Sequence, residues 1–579
     1  MQPFTICQMK KIFVLISATI LISLATNAQT RHLIRFKDKQ GSVYSLAAPS
    51  AYLSEKSILR RARQNIPIDS TDLPVNPDYL NGIAVIPGAT ILSVSKWLNQ
   101  VLVETSDAGA LNKIMALPFV IGPDIRPIAT RANGAANPDK KFDEPQDNLQ
   151  PRSAPNKPPS KTRASGTADD AAYYGASYDQ IHIHEGEYLH NLGFRGEGIS
   201  IAIIDAGFSG YLTNPAFEKT RAQNRIKGEY DFVNNEYSVN EDHSHGLHCF
   251  STIAADLPGV MVGSAPQASF YLYRTEDVTS ESIAEEQLWA SAAEKADSVG
   301  ADMISSSLGY VTFDDPSLNH SYAQRNGNTA LITNAADLAA KKGMIVMAAC
   351  GNSGTSLTEN KYVMCPADGD SVITVGAVDA MGQIAGFSSW GPNGAGLLKP
   401  NIVSVGKAAS YITVNGTPGS GNGTSIATPN IAGLIACLWQ AFREFSNMDI
   451  KEAVEKSASK YNNPDERYGY GIPNFRAAYA LLQQKREAKT QGILKDSWIK
   501  AFPLPVKTGF TLLLKAPSSG NANIQIVDLS GRIWQNLKIQ TLENNYYYIP
   551  MTIPVMSSGM YYLRYNDGKN KATLELPKF

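Results

Sequence analysis

Short apolar runs alternate with longer helical segments over the central part of this chain, from about Tyr173 to Ala488. Each run is almost continuously apolar, as expected of strands that are buried on both faces. Strands that alternate with helices predict a parallel sheet flanked by helices, in which sites form at the carboxyl ends of the strands. The runs are ISIAIIDAGF, SFYLYR, ADMISSS, GMIVMAA and SVITVGAV, and the helical segments are ESIAEEQLWASAAEKADSVG, TALITNAADLAAKKG and DIKEAVEKSASK.

The regions on either side of this central part differ from it in composition and in predicted secondary structure. Residues 29–127 combine strand-like runs with a basic helical segment, SEKSILRRARQN, and predict a small α+β domain. Residues 128–172 are rich in Pro, Asn, Asp, Lys and Ser, which predicts a flexible, cleavable linker. Residues 497–579 contain short strands separated by turns such as SSGN and SSG, and predict a β-sandwich. The central domain is expected to span residues 173–488.

The first 28 residues indicate secretion. Lys10 and Lys11 precede an apolar run from Ile12 to Leu24 that ends in small residues, which is typical of a signal peptide. The run is shorter than the roughly 20 apolar residues of a membrane anchor. The 579 residues have a formal net charge of −1, which gives no indication of nucleic-acid binding.

Three residues carry the groups needed for acyl transfer. Asp205 ends an apolar run, His245 lies in the polar stretch EDHSHGLHC, and Ser425 lies in GNGTSIATP just before a buried helical segment. A serine nucleophile needs a base to take its proton, and the base needs a carboxylate that orients it. The chain order Asp, His, Ser is one of the known orders for this geometry.

Other interpretations of each residue stay open at this point. Asp205 is a candidate helix cap or turn residue, and Ser425 is a candidate N-cap. His243, His245 and His248 together form a candidate metal site, although no matching Cys or carboxylate set stands at zinc spacing. Asn352, in VMAACGNSG, is a candidate oxyanion donor or an Asx-turn residue.

Four of these motifs together resemble the subtilisin-like serine proteases, the subtilases. IAIIDAGF resembles the aspartate motif, HGLHC the histidine motif, AACGNSG the oxyanion asparagine motif and GTSIATP the serine motif. The resemblance implies that Asp205 orients His245, that His245 acts as base and then acid, and that Ser425 attacks the substrate. It implies that Asn352 and the Ser425 backbone N–H stabilise the oxyanion. It also implies a specificity pocket formed by Ser307, Leu308, Gly309, Ala349, Gly351 and Met364, with Met364 favouring small or medium side chains.

The chain departs from the family pattern at two positions near the triad. Ala206 stands where Ser or Thr is usual, and Leu247 replaces the usual Thr. The main hypothesis is a secreted serine endopeptidase that hydrolyses proteins through an acyl-enzyme. The alternatives are a catalytically altered subtilase fold used for binding, and a metal-dependent hydrolase built on the nearby histidines.

The flanks resemble parts of the same kind of protein. Residues 29–127 stand where subtilases carry an inhibitory propeptide, so that the chain is expected to be a zymogen with its own propeptide as a partner. The C-terminal FPLP, VDLSGR and SSGMYYLRY resemble the sorting domains of Bacteroidota type IX secretion cargo. This implies a protein that is secreted or attached to the cell surface by way of the periplasm.

Two further expectations concern ions and cysteines. The resemblance implies no cofactor for the chemistry, while structural calcium is common in the family. The acidic residues Glu276, Asp277, Glu281, Glu285 and Glu286 could bind a cation, but are expected to form a solvated helix face. By resemblance, Cys350 and Cys365 lie on opposite walls of the specificity pocket, which predicts a disulfide, with two free buried thiols as the alternative.

Overall fold

The computed structural model describes residues 30–121, 127–130, 141, 168–495, 497–506, 509–552 and 556–579. The expected signal peptide and most of the expected linker lie outside these residues. The described residues form two compact units, which divide between Ala478 and Tyr479. Among the described residues, no helix has the length and apolarity needed to cross a membrane.

The N-terminal subdomain is a four-stranded antiparallel sheet with three helices. Its sheet has the order β2-β3-β1-β4, and a core of buried Ile and Val lies beneath the helices. The side chains of Ser54, Asn76 and Asp107 cap the helices by accepting backbone N–H groups. The predicted α+β fold is confirmed. The elements are β1 (Thr30–Arg35), α1 (Glu55–Arg63), α2 (Pro77–Ala84), β2 (Thr90–Ser95), β3 (Gln100–Thr105), α3 (Ala108–Met115) and β4 (Pro127–Thr130).

The central domain contains a seven-stranded parallel sheet with the order β13-β12-β11-β10-β5-β9-β6. All five predicted apolar runs form strands of this sheet. The edge strands β6 and β13 were not among them, and the sequence IKGEYD of β6 is polar because an edge strand is only partly covered. The seven strands of this sheet are β5 (Ser200–Asp205), β6 (Ile226–Asp231), β9 (Ser269–Arg274), β10 (Met303–Ser306), β11 (Ile345–Ala349), β12 (Ile373–Val378) and β13 (Ile402–Val405). Two separate two-stranded sheets pair β7 (Asp256–Leu257) with β8 (Met261–Val262) and β14 (Ala409–Ile412) with β15 (Pro418–Gly421).

Helices cover this sheet. The two predicted helices that follow β9 and β10 pack together over an alanine-rich cluster with the sheet, and the helix that carries Ser425 is buried almost throughout. The helices of this domain are α4 (Ala168–Tyr174), α5 (Tyr178–His182), α6 (Gly186–Asn191), α7 (Glu218–Ala222), α8 (His245–Ala254), α9 (Ile283–Val299), α10 (Leu331–Lys341), α11 (Thr424–Ala441) and α12 (Asn447–Lys456). A further helix, α13 (Phe475–Leu494), begins in this unit and continues into the C-terminal one.

The topology brings the ends of several elements to one edge of the sheet. Strand β5 ends at Asp205, β10 runs into Ser307, and β11 is followed by Asn352. Helix α8 begins at His245, and Ser425 is the second residue of α11. Because the carboxyl ends of parallel strands share one edge, these side chains converge there.

The C-terminal unit contains two antiparallel sheets, with the orders β16-β17-β20 and β19-β18-β21-β22. Apolar side chains from both sheets form one buried cluster. The predicted β-sandwich is therefore confirmed. The strands are β16 (Ile499–Phe502), β17 (Gly509–Lys515), β18 (Gly520–Asp528), β19 (Ile533–Thr541), β20 (Tyr546–Thr552), β21 (Gly559–Asn566) and β22 (Lys571–Lys578).

Candidate active site

His245 and Asp205 form a buried hydrogen-bonded pair. The Nδ1 atom of His245 lies 2.6 Å from Oδ1 of Asp205, and the same oxygen accepts the N–H of Ala206 at 2.8 Å. Burial by itself would lower the pKa of His245, but the Asp205 carboxylate outweighs it and raises that pKa well above its usual value. The pair therefore has the electrostatics of an imidazole that a carboxylate stabilises in its charged form.

Glycine after the histidine permits this contact. A Cβ atom added at Gly246 would lie 2.5 Å from the carbonyl oxygen of Gly207 and 2.9 Å from the Cβ atom of Asp205. Any side chain at this position would therefore push α8 away from the end of β5. The second oxygen of Asp205, Oδ2, is buried and has no hydrogen-bond partner in the described part of the chain.

Ser425 is fixed in the first turn of α11. Its carbonyl oxygen accepts the Oγ–H of Ser307 at 2.7 Å and the thiol of Cys249 at 3.3 Å. A Cβ atom added at Gly423 would lie only 2.6 Å from Ser425 Oγ, so glycine is required there to leave the hydroxyl room. The turn that precedes the helix thus exposes the hydroxyl to the cavity while the backbone stays held.

The side chain of Asn352 is oriented by its neighbour in α11. Its Oδ1 atom accepts the N–H of Thr424 at 2.9 Å and the hydroxyl of Thr424 at 3.0 Å. The Nδ2 atom is left as a donor, and it lies 3.7 Å from the Cβ position of Gly423, beside Ser425. Thr424 of α11 therefore holds the amide oxygen of Asn352, and this orients the amide nitrogen towards Ser425.

One cavity joins these groups. Of the predicted pocket residues, Ser307, Leu308, Gly309, Gly351 and Met364 line it, whereas Ala349, the last residue of β11, does not. A Cβ atom at Gly309 would lie 2.4 Å from the Met364 sulfur, and one at Gly351 would lie 3.4 Å from it. Met364 thus packs between two glycine backbones. The complete lining is Lys141, His245, Glu276, Glu281, Ser307, Leu308, Gly309, Gly351, Asn352, Met364 and Ser425.

The acidic residues near α9 do not form a solvated face, so that expectation was wrong. Glu276, Asp277, Glu285 and Glu286 are buried and Glu281 is half-buried. They are buried because each binds a specific partner: Glu286, for example, contacts His320 at 2.5 Å, and Glu285 caps α9. Lys141, which no sequence motif had indicated, contacts three of them.

The three histidines of the metal hypothesis do not bring their ring nitrogens together. His243 Nδ1 accepts the backbone N–H of His245 at 3.1 Å, and the ring of His248 stacks on Tyr411. Burial lowers the pKa of His248 to about 3. Within the described residues, the one group close enough to share an ion is Asp205, His245 and Cys249.

The predicted bridge between Cys350 and Cys365 is absent, and both residues are buried free thiols. The backbones are close, since Met364 N donates to Cys350 O at 3.3 Å. The Cys350 thiol, however, donates to the carbonyl of Ser389 at 3.2 Å, while the Cys365 thiol faces Thr333 and Asp368. The side chains point apart, and burial raises the pKa of Cys350 to about 12.

The N-terminal subdomain contacts the central domain through buried charges. Arg60 and Arg61 of α1 both bind the carboxylate of Asp297 in α9, with 2.8 Å between Arg61 Nη2 and Oδ2. Glu294, one turn earlier in α9, accepts the N–H groups of Lys96 and Trp97 at 2.7 and 3.0 Å. The basic helical segment of the sequence is thus a docking element.

Comparison with known proteins agrees with this architecture. The sequence profile of the Subtilase family matches residues 196–471, that of the Bacteroidota peptidase S8 propeptide domain matches 31–154, and that of a secretion system C-terminal sorting domain matches 500–576. The chain is 32% identical to subtilisin E of Bacillus subtilis over 293 residues, which are 50% of this chain and 68% of that protein. It is 31% identical to the subtilisin of Bacillus pumilus over 293 residues, which are 50% of this chain and 94% of that one.

A third relative is the thermophilic serine proteinase of Bacillus sp. strain AK1, which is 32% identical over 319 residues, 54% of this chain and 69% of that protein. The Subtilase match covers the parallel sheet, the two helices that carry His245 and Ser425, and the loop of Asn352. With a propeptide domain before this region and a sorting domain after it, the chain belongs to the subtilase family and is a secreted serine endopeptidase made as a zymogen.

Proposed function

We propose that the chain hydrolyses peptide bonds in proteins through Asp205, His245 and Ser425 by way of an acyl-enzyme. The observation that carries this proposal is the 2.6 Å contact of His245 with the buried Asp205, together with the cavity that His245, Ser425 and Asn352 line. Asp205 holds Nδ1 of His245, so Nε2 is the nitrogen that takes the Ser425 proton.

Ser425 Oγ attacks the carbonyl carbon of the substrate as His245 takes its proton. The tetrahedral oxyanion accepts hydrogen bonds from Asn352 Nδ2 and the Ser425 backbone N–H, at the positive end of α11. His245 then gives the proton to the leaving amine, the C–N bond breaks, and an acyl-serine remains. Water, deprotonated by His245, hydrolyses this ester and regenerates Ser425.

The direct test is substitution of each reacting group. Ser425→Ala and His245→Ala are expected to fold and to lose proteolysis, because neither can form the acyl-enzyme. Asn352→Ala is expected to lower kcat by about 10²- to 10³-fold, the range known for loss of one oxyanion donor. Hydrolysis of a denatured protein substrate measures this, with the exposed Ser317→Ala as control.

Activity of Ser425→Ala equal to that of the wild type would contradict the proposal. An inactive wild-type protein that nevertheless binds peptides would favour the alternative of an altered, binding subtilase fold. Chelator sensitivity without labelling of Ser425 by a phosphonylating reagent would favour the metal-dependent alternative. Structural calcium stays a prediction, which calcium-dependent thermal unfolding of the mature protein tests.

A further inference from the structure

Three glutamates form a buried acidic pocket beside the reacting serine. Glu276 follows β9 by two residues, Glu281 lies in the connection, and Glu285 lies in the first turn of α9. Glu276 and Glu285 are 1% and 0% exposed. Glu276 and Glu281 line the same cavity as His245 and Ser425. The pocket therefore faces the space that a substrate would enter.

The described residues of the peptidase domain supply these glutamates with hydrogen bonds, but none of them forms an ion pair with the three carboxylates. Tyr310 donates its hydroxyl to Glu276. The backbone N–H groups of Asp277 and Ser282 both donate to Glu285, at 2.8 Å in each case. Among the residues that the structure describes, the one cation that forms ion pairs with the three carboxylates is Lys141.

Lys141 places its ammonium at the centre of the pocket. Its Nζ atom lies 3.1 Å from Glu276 Oε2, 3.1 Å from Glu281 Oε2 and in contact with Glu285 Oε1. The backbone carbonyls of Ser280 and Asp277 accept from it at 2.9 and 3.3 Å. Burial opposes the charge, but the three glutamates outweigh it and raise the pKa of Lys141 well above its usual value.

The cation comes from the propeptide part of the chain, which maturation of the zymogen removes. Lys141 lies within residues 31–154, the match to the propeptide domain. Its departure would leave three carboxylates together in a buried site without a counter-charge, which is strongly unfavourable. Even with Lys141 present, burial raises the pKa of Glu281 to about 7. An alkylammonium or guanidinium side chain would restore the balance.

We propose that Glu276, Glu281 and Glu285 form a substrate subsite for a lysine or arginine side chain, which Lys141 occupies in the zymogen. This proposal rests on the proposed peptidase activity. The propeptide match ends at residue 154, and a cleavage at or after that end leaves Lys141 on the acyl side of the scissile bond. The subsite therefore selects a basic residue at one position N-terminal to that bond.

A matched peptide library tests the subsite on the purified mature enzyme. The four positions N-terminal to the scissile bond are varied one at a time, and each carries Lys, Arg, norleucine or Glu in turn. The value of kcat/KM is measured for every peptide. Norleucine matches the lysine stem without its charge. We expect Lys and Arg to exceed norleucine by at least tenfold at one position, and Glu to be the poorest residue there.

Glu281→Gln is the most specific variant, because the other two glutamates have structural contacts as well. Glu276 accepts the hydroxyl of Tyr310, and Glu285 caps the start of α9. We expect the ratio of kcat/KM for Lys over norleucine to fall at least fivefold in Glu281→Gln and to fall further in Glu281→Lys. Glu197→Gln, an exposed glutamate of the same domain, should leave the ratio unchanged. Labelling of Ser425 by a phosphonylating reagent checks that each variant is folded.

The outcomes separate this proposal from the proposed activity. Cleavage with equal kcat/KM for Lys and norleucine at all four positions overturns the subsite and leaves the peptidase intact. A lysine preference that both Glu281 variants retain also overturns it. Calcium-dependent stability that Glu281→Gln abolishes, without a lysine preference, assigns the pocket to a metal ion instead. A wild-type enzyme that cleaves no peptide overturns both proposals.

Discussion

At the scale of single residues, opposing effects set the charge of the candidate base. His245 is buried, and burial disfavours an imidazolium, but the Asp205 carboxylate lies 2.6 Å away and favours it. Ala206 supplies only its backbone N–H to that carboxylate, and within the described residues no donor reaches Oδ2. The full charge of Asp205 is therefore available to the histidine.

This balance predicts the pH dependence of activity. A protonated His245 cannot accept the proton of Ser425, and its pKa is raised, so the acid limb of kcat/KM is expected above pH 6.5. Asp205→Asn removes the negative charge beside His245, so the acid limb of kcat/KM should move to lower pH. The same variant should lower kcat by about 10⁴-fold. The pH profile of kcat/KM for a small peptide measures both effects. An acid limb that stays in place in Asp205→Asn would show that another group sets it.

At the scale of secondary-structure elements, helix α9 contacts three parts of the molecule. It covers the sheet with an alanine-rich face, its first turn contributes Glu285 to the acidic pocket, and its last turns hold the propeptide through Glu294 and Asp297. The pKa of Asp297 stays below its usual value, since the charges of Arg60, Arg61 and Lys96 outweigh the burial that would raise it. One helix therefore contacts both the propeptide domain and the acidic pocket.

Removal of the charge of Asp297 should loosen the propeptide. Asp297→Asn leaves Arg60 and Arg61 buried with a weakened counter-charge, and breaking a buried pair costs about 3–5 kcal/mol. In the full-length Ser425→Ala chain we expect amide exchange in α1 to rise sharply, while α11 stays protected. Glu452→Gln is the control, because its pair with Lys456 is exposed and such pairs are worth about 0–1 kcal/mol. Equal exchange of α1 in both variants would contradict a docking role for Asp297.

At the scale of the whole molecule, the chain is ordered as propeptide, peptidase and sorting domain. The C-terminal unit has its own two sheets and its own apolar cluster, so its folding does not require the parallel sheet. Its match to a secretion system sorting domain assigns it to export, and the protein is secreted or attached to the cell surface.

Deletion of residues 497–579 is therefore expected to stop export without unfolding the peptidase. The truncated chain should accumulate in the periplasm and should still be labelled at Ser425 by a phosphonylating reagent after cell fractionation. The full-length chain in the same strain serves as the control. Truncated enzyme found in the medium in amounts equal to the full-length chain would rule out the sorting role.

Several features were determined by the sequence alone because they depend on local pattern. Short apolar runs that alternate with helical segments predict strands buried on both faces, so the parallel sheet and the positions of Asp205 at the end of β5 and of Asn352 after β11 followed from local pattern. The four motifs identified the family because each combines a chemical group with the glycines that its backbone needs. Gly423 and Gly246 show why, since a Cβ atom at either position would collide with the site.

Tertiary structure alone decided the direction of side chains and the partners of buried charges. Cys350 and Cys365 were correctly placed near each other, but their thiols turn to different neighbours, and sequence contains no information on that angle. The acidic residues near α9 have the composition of a solvated face, yet they are mostly buried, and three of them pair with Lys141, which comes from a segment more than a hundred residues earlier. Long-range pairing of this kind depends on how separate domains dock, and local pattern cannot encode it.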